Sequence, residues 1–137
     1  MKIRTVTVIE SKKVLLKVLS LLQRPVTYSE LVYLMQRFQY KHYFPIWYIF
    51  HNTTMVKSNT LDEDLKMLEE RGLIKRHKQG YSMTKEGLQY SKQIIFETEI
   101  ENIIKEEIEE IMTIDSEEMH KRLIDDYYKV IKEGRLN

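Results

Sequence analysis

The side chains of this chain that are capable of chemistry are four histidines and a large set of charged residues. The histidines are His42, His51, His77 and His120, and none of them belongs to a recognisable metal-binding spacing. His42 and His51 could approach each other across a turn, but the sequence places no carboxylate beside them. The chain also lacks cysteine, a glycine-rich phosphate loop and a nucleophile elbow. We therefore expect a protein that is not an enzyme and that holds no metal and no cofactor.

A glutamate-rich stretch is the main acidic feature. It contains Glu106, Glu107, Glu109 and Glu110 within five residues. Such a cluster either attracts a divalent cation or forms the solvated face of a helix. The second explanation requires no further ligands, so we expect a helix face.

The main basic feature is the run Lys75, Arg76, His77 and Lys78. Lysine and arginine neutralise phosphates, and protonation of a histidine among them would add positive charge. This concentration of positive charge therefore favours contact with a polyanion.

The residues around the basic run predict a helix followed by a hairpin. Leu61, Leu65 and Leu68 recur on one helical face, and Gly72 can adopt the positive φ that ends a helix. Residues 73–74 then predict a short buried strand, residues 75–80 a solvated turn and residues 81–83 the returning strand.

This order of elements, closing on Tyr-x-Met-Thr-x-Glu-Gly at residues 81–87, resembles winged helix-turn-helix proteins of the MarR and PadR type. The resemblance covers residues from about 11 to 95. The chain also resembles a group of uncharacterised prokaryotic winged-helix proteins, which have an aromatic segment before the third helix and a Ser-Glu-Glu helix with a pair of tyrosines. Here these parts are residues 40–50 and 116–128. The second resemblance implies no activity.

The first resemblance implies a recognition helix at residues 58–71 that enters the DNA major groove and a hairpin wing that contacts the DNA backbone. The implied wing contacts are Lys75, Arg76, His77 and Lys78. The implied helix contacts are Ser58, Asn59, Thr60, Lys66 and Arg71. However, the same short helix carries five carboxylates that would repel phosphates, those of Asp62, Glu63, Asp64, Glu69 and Glu70. We therefore expect the wing, rather than this helix, to be the main interface with DNA.

The charge distribution divides the chain into two parts. Residues 1–93 contain 16 Lys and Arg against 8 Asp and Glu, whereas residues 94–137 contain 6 against 13. The net charges are therefore +8 and −7. We expect a winged-helix domain at 1–93, with an aromatic insertion at about 39–57, and a C-terminal helical extension at 94–137. The fold class is mainly α with a small β-hairpin wing, an α+β arrangement with long C-terminal helices.

Within the first part, residues 2–9 predict a short strand or arm, residues 12–23 a helix capped by Ser11, and residue 27 the capping box of a second helix. The insertion is the main departure from a minimal winged helix. Its run of residues 47–50 predicts either a strand or the wall of an aromatic pocket. The aromatic side chains there either belong to the core or stack on bases, and the core is the more common outcome.

The second part predicts one helix over residues 85–112 and another from residue 116 to Gly134. The predicted helix is too long for a small core to cover all of its apolar face, so we expect its isoleucines to pack against a second copy or against the last helix. The residues predicted to form a homodimer are Ile100, Ile104, Ile108 and Ile111. The residues predicted to face inward on the last helix are Met119, Leu123, Ile124, Tyr127, Tyr128 and Ile131.

These patterns together favour a small homodimeric transcriptional regulator that binds double-stranded DNA. The alternative is a winged-helix module for protein–protein interaction that does not bind DNA and whose acidic C-terminal helices or aromatic insertion contact a partner. No apolar run reaches the length of a membrane span or resembles a signal peptide, so we expect a cytoplasmic protein that does not bind membranes.

Overall fold

The computed structural model describes residues 9–134, which form six α-helices and two short antiparallel hairpins. The helices are α1 Ser11–Leu22, α2 Tyr28–Tyr40, α3 Asn59–Glu70, α4 Lys85–Ser91, α5 Thr98–Thr113 and α6 Ser116–Lys132. Strand β1 His51–Asn52 pairs with β2 Val56–Lys57, and β3 Ile74–His77 pairs with β4 Gly80–Met83. The predicted mainly helical α+β class is confirmed. The strand or arm predicted at residues 2–9 lies outside the described residues, apart from Ile9.

Side-chain caps define where most of the helices begin. The capping box predicted at the start of α2 is present: the Glu30 amide donates to Thr27 Oγ1 at 3.1 Å, and the Thr27 amide donates to Glu30 Oε1 at 3.0 Å. Ser58, Thr84 and Asp115 cap α3, α4 and α6. The predicted Ser11 cap is wrong, because the hydroxyl of Ser11 donates to Asp64 Oδ2 on α3 at 2.6 Å instead.

The hairpin of β3 and β4 is tighter than the sequence predicted, because Lys75 to His77 belong to the first strand and only residues 78 and 79 form the turn. A bridge anchors it to the start of α2, since Val26 and Tyr81 exchange two backbone hydrogen bonds of 2.8 Å. Gly80 has φ +130°, and a Cβ at this position would lie 2.1 Å from the Val26 carbonyl oxygen. Only glycine fits this close approach.

Residues 43–50 of the aromatic insertion form no regular helix or strand, and their side chains alternate between core and surface. Its buried residues are Phe44, Ile46, Tyr48 and Phe50. Gln39 holds the segment through its side chain, which accepts from the Tyr48 amide at 2.7 Å and donates to the Tyr48 carbonyl at 2.8 Å. Tyr43 and Trp47 have φ of 59°, a left-handed conformation that is strained for aromatic residues.

The single helix predicted for residues 85–112 is wrong, because the chain leaves helical geometry between α4 and α5. Ile94 and Phe96 are buried in this connection, whereas Ile95 between them is exposed. This alternation is that of an extended segment. The amide of Phe96 donates to Glu101 Oε1 at 3.2 Å, which satisfies one backbone donor at the start of α5. Packing of two apolar side chains therefore overrides the helical spacing of the sequence.

The C-terminal helices belong to the same hydrophobic core as the first part of the chain. Helix α6 packs on α2, and α5 packs on both α1 and α2. Of the four isoleucines predicted to form a dimer, Ile104, Ile108 and Ile111 are buried in this core, and Ile100 is half-buried. These side chains are already covered within one chain, because α5 docks against its own domain.

Helix α6 presents a different inner face from the predicted one. Met119, Leu123, Tyr127 and Val130 are buried, but Ile124, Tyr128 and Ile131 are exposed. The prediction was therefore wrong for these last three residues. They recur at the spacing of one helical stripe, which lies beside the buried stripe rather than within it.

No helix within residues 9–134 is long and apolar enough to cross a bilayer.

Candidate nucleic-acid interface

A groove lies between α3 and the hairpin of β3 and β4, and we call it the hairpin groove. Its volume is about 720 Å³. Four parts of the fold line it: the start of α2, the β1–β2 hairpin, one face of α3 and the tip of the β3–β4 hairpin. The lining residues are Thr27, Tyr28, Met55, Lys57, Asp62, Lys66, Glu69 and residues 76–81.

One tyrosine links the beginnings of α2 and α3. The Tyr28 hydroxyl accepts from the Ser58 amide at 3.0 Å and donates to the Ser58 carbonyl at 3.2 Å. Burial of this hydroxyl raises the pKa of Tyr28, so the phenol stays protonated and can donate. This link joins the beginnings of two helices and fixes one wall of the hairpin groove.

Positive charge predominates in the hairpin groove. Four basic side chains line it, those of Lys57, Lys66, Arg76 and Lys78, against the two carboxylates of Asp62 and Glu69. None of the four basic side chains forms an ion pair with another residue of the described range. Their charges are therefore available to an anionic ligand.

The predicted wing residues divide between the two faces of the hairpin. Arg76 lies above the Tyr81 ring, 5.8 Å from its centroid, and faces the groove. His77 Nε2 lies 2.6 Å from Ser82 Oγ across the strands, and Lys78 lies in the turn. Lys75 alternates with Arg76 along the strand and does not line the groove.

The five predicted contacts on α3 are not brought together. Lys66 alone lines the hairpin groove. Ser58 is 0% exposed and serves as the N-cap, and Thr60 Oγ1 accepts a hydrogen bond from the Ile49 amide at 3.2 Å. The placement of Ser58 argues against contact with bases, because its side chain is buried. Thr60 is half-buried, and its contact with DNA stays a prediction. Asn59 is exposed outside the groove, and Arg71 lines a separate depression beside Trp47.

The five carboxylates of α3 also lie on different faces of the helix. Asp62 and Glu69 share a face with Lys66 at the spacing of four and three residues. Asp64 points the other way, where it accepts from the hydroxyls of Tyr48 and Ser11 at 2.6 Å each. Glu63 and Glu70 are exposed and do not line the hairpin groove. Only two of the five acids therefore oppose an anionic ligand there.

A second group of charged residues links α2, α5 and α6, and we call it the ion cluster. Glu107 is 4% exposed and accepts from Arg37 Nε at 2.7 Å, and its other oxygen lies 2.7 Å from His42 Nε2. Arg37 also pairs with Asp126 at 3.2 Å, and Lys41 lies 3.7 Å from Glu107. A carboxylate is thus placed beside His42, contrary to the expectation from the sequence.

The ion cluster satisfies its own charges. Burial acts to raise the pKa of Glu107, but hydrogen bonds from Arg37 and His42 outweigh it and hold that pKa below its usual value. For Asp126 the balance is reversed, because burial raises the pKa more than attraction to Arg37 lowers it. This geometry stabilises the packing of three helices. Both oxygens of Glu107 are engaged in it, so neither is available for proton transfer.

A pattern in the sequence could have revealed the ion cluster. Glu107 is three residues after Ile104 and four before Ile111, so it interrupts the apolar face of α5. A carboxylate in that position must be buried and therefore needs a partner. The glutamate run is consequently not one solvated face, and no group of three or more potential ligands within residues 9–134 could hold a metal ion.

No protein-family model matches this chain, and neither the curated proteins nor the solved structures contain a significant match to it.

Proposed function

We propose that this chain is a winged-helix protein that binds double-stranded DNA through the hairpin groove and acts as a small transcriptional regulator. The observation that carries the proposal is the set of four basic side chains in the groove that lack ion-pair partners among residues 9–134. Phosphate neutralisation by such side chains supplies most of the sequence-independent affinity for DNA.

The order of the elements supports the same proposal. Three helices precede a hairpin, and the bridge between Val26 and Tyr81 attaches that hairpin to the segment between the first two helices. A winged helix requires this order, with the third helix and the hairpin on one side of the domain. The hairpin groove occupies that side.

The distribution of charge within the groove favours contacts with the DNA backbone by the hairpin. Arg76 and Lys78 stand on the hairpin, whereas on α3 Lys66 lies between Asp62 and Glu69. The two carboxylates oppose close approach of α3 to phosphates. In this proposal the hairpin supplies much of the affinity, and Lys66 is the residue of α3 that contacts DNA.

The test is a titration of a fluorescent DNA duplex with the full chain at several salt concentrations. The Arg76→Ala/Lys78→Ala variant removes two phosphate contacts, so we expect its affinity to fall by about one order of magnitude and its logarithmic salt slope to flatten by about two. Glu69→Gln removes repulsion in the same groove and should strengthen binding.

The matched control is Lys105→Ala/Lys121→Ala, which removes two exposed charges from α5 and α6. Its affinity for the duplex should remain close to that of the wild type. Equal losses in the control and in the hairpin variant would assign binding to overall charge and refute the groove as the interface. The absence of any binding at low salt would refute DNA binding itself.

A second candidate function is a protein-interaction module whose acidic C-terminal helices bind a partner. It is favoured by the exposed carboxylates of Glu106 and Glu109 on α5, neither of which forms an ion pair with another described residue. This candidate predicts that the Arg76→Ala/Lys78→Ala variant keeps its full affinity for the protein partner. A duplex that fails to bind at low salt would favour it over the regulator.

The homodimer expected from the sequence stays a prediction, with a different surface. Because the isoleucines of α5 are largely covered within one chain, a second copy would have to use another exposed apolar surface, such as the stripe of Ile124, Tyr128 and Ile131 on α6. The mass of the protein in solution, measured alongside the titration, tests whether a dimer forms.

A further inference from the structure

Two strained aromatic residues stand on a surface that the hairpin groove does not share. Tyr43 is 75% exposed and Trp47 is 77% exposed, and both have the left-handed φ of 59°. With Tyr40 and Ile49 they line a shallow groove of about 370 Å³, and we call this surface the aromatic track. No residue of the aromatic track lines the hairpin groove.

The segment that carries these rings is held firmly in place. The amide of Phe44 donates to the Phe38 carbonyl at 2.9 Å, Gln39 binds both backbone groups of Tyr48, and the amide of Ile49 donates to Thr60. The strained conformation thus rests on several specific hydrogen bonds. Strain that is maintained in this way at exposed aromatic residues points to a binding role for their rings.

The depressions at both ends of the aromatic track contain basic residues. Trp47 also lines a depression with Lys12 and Arg71, and Tyr40 and Tyr43 also line one with Lys41 and Lys129. The acids in these depressions are Glu10, which pairs with Lys13, Asp126, which pairs with Arg37, and Glu133. At the Tyr40 end, Lys41 lies 3.7 Å from Glu107, and Lys129 shares its depression with Asp126 and Glu133. The surplus of positive charge therefore lies at the Trp47 end of the track, on Lys12 and Arg71.

This arrangement fits one class of ligand best. We infer that the aromatic track binds single-stranded nucleic acid, with unpaired bases stacked on Trp47 and Tyr43 and phosphates beside Lys12 and Arg71. Flat rings next to backbone-binding cations are how proteins hold single strands without reading their sequence. A duplex does not fit, because its bases are already stacked on one another and their faces are inaccessible.

Charge also argues against a second copy of this chain as the occupant. A two-fold contact centred on Trp47 would bring the Lys12 and Arg71 side chains of the two copies close together, and like charges repel. An apolar protein surface would cover the rings but leave Lys12 and Arg71 without neutralisation. A flexible polyanion that carries aromatic bases satisfies both features.

Trp47 provides a direct reporter, since it is the only tryptophan of the chain. The full chain is titrated with oligothymidylate of roughly ten nucleotides and, separately, with an abasic oligomer of the same length. We expect oligothymidylate to quench the tryptophan fluorescence and to bind about tenfold more tightly than the abasic oligomer, because only the former can stack. Equal affinity for the two would overturn the inference, since binding would then be electrostatic alone.

Substitutions can test the contribution of each ring separately from the backbone conformation that carries it. Trp47→Asn keeps a residue that tolerates the left-handed conformation but removes the ring, so affinity for labelled oligothymidylate should fall about tenfold. Trp47→Phe keeps a ring and should retain most of the affinity. Tyr43→Asn should weaken binding while leaving Trp47 as reporter. Full affinity in both asparagine variants would refute the track as the site.

The hairpin variant Arg76→Ala/Lys78→Ala distinguishes this inference from the proposed function. It should bind oligothymidylate with unchanged quenching of Trp47, even though its affinity for a duplex falls. Loss of oligothymidylate binding in this variant would instead place the single strand in the hairpin groove and overturn the inference. A fluorescence change that depends on protein concentration alone, together with a doubled mass, would assign the track to a second copy and also overturn it.

Discussion

The ion cluster and the hairpin groove use the same kinds of side chain for opposite purposes. In the ion cluster, Arg37 and Glu107 are largely buried and joined at 2.7 Å. In the hairpin groove, Arg76 and Lys78 are exposed and form no ion pair with any residue of the described range. A buried charge must have a partner inside the protein, whereas an exposed charge is stabilised by water until a ligand replaces it. Burial, rather than residue type, therefore separates charges that hold the fold from charges that can bind.

The largest expected effect is on the stability of the ion cluster. Glu107→Ala leaves Arg37 and His42 without their carboxylate in a buried position, so the free energy of unfolding should fall by about 3 kcal/mol or more. Urea denaturation measures this change. The control is Glu106→Ala, an exposed neighbour on the same helix, which should change the free energy of unfolding by less than about 0.5 kcal/mol. A similar small loss for both variants would remove the contrast between the two regions.

A smaller effect is expected on the dependence of stability on pH. The pKa of Glu107 lies below its usual value of 4.5 in the folded state, so its contribution is present above that pH and is lost as the pH falls through the folded pKa. Asp126 opposes this, because its pKa is raised above 3.8 and its contribution is lost as the pH rises through the folded pKa. Glu30, whose pKa is also lowered, acts in the same direction as Glu107.

We therefore expect the wild type to lose stability on acidification below about pH 4.5 and Glu107→Gln to lose less of it. Denaturation at a series of pH values measures the difference between the two curves. Adding Asp126→Asn to the wild type removes the opposing contribution, so the acid loss should become steeper. Parallel curves for the wild type and Glu107→Gln would mean that this carboxylate is not held as the geometry indicates.

The smallest effect is expected for the stability of the hairpin variant. Arg76→Ala/Lys78→Ala removes charges that have no ion-pair partner within the described part of the chain and one exposed contact of Arg76 with the Tyr81 ring, so the free energy of unfolding should change by about 0.5 kcal/mol at most. Thermal or urea unfolding of the variant provides the measurement. A loss of more than 1 kcal/mol, well above this expectation, would show that these charges support the fold and would weaken the distinction from the ion cluster.

The sequence predicted some helices and caps correctly and others wrongly. The capping box of Thr27 and Glu30 and the leucine face of α3 were predicted correctly, because each depends on residues within one or two helical turns. The helix predicted through residues 94–96 failed, since Ile94 and Phe96 are drawn into the core by packing with other elements. A periodic pattern records which side chains are apolar, but it does not record which partner will cover them.

The candidate site divides in the same way. The basic character of residues 75–78 was evident from the sequence, and so was the acidity of α3. Their geometry was not, because Asp64 turns toward Tyr48 and Ser11, and Ser58 becomes a buried cap bonded to Tyr28. These contacts join residues that are 16 to 53 positions apart in the chain.

The sequence by itself determined the mainly helical class, the position of the hairpin and the split between a basic and an acidic part, because these depend on composition and on neighbouring residues. The tertiary structure alone decided which charges are paired and which are available. Glu107 meets His42 across 65 residues, and Lys66 comes to face the hairpin across the groove only when α3 packs beside it. The reason is physical: the free energy of a charge depends on its burial and its neighbours, and both are set only when distant segments come together.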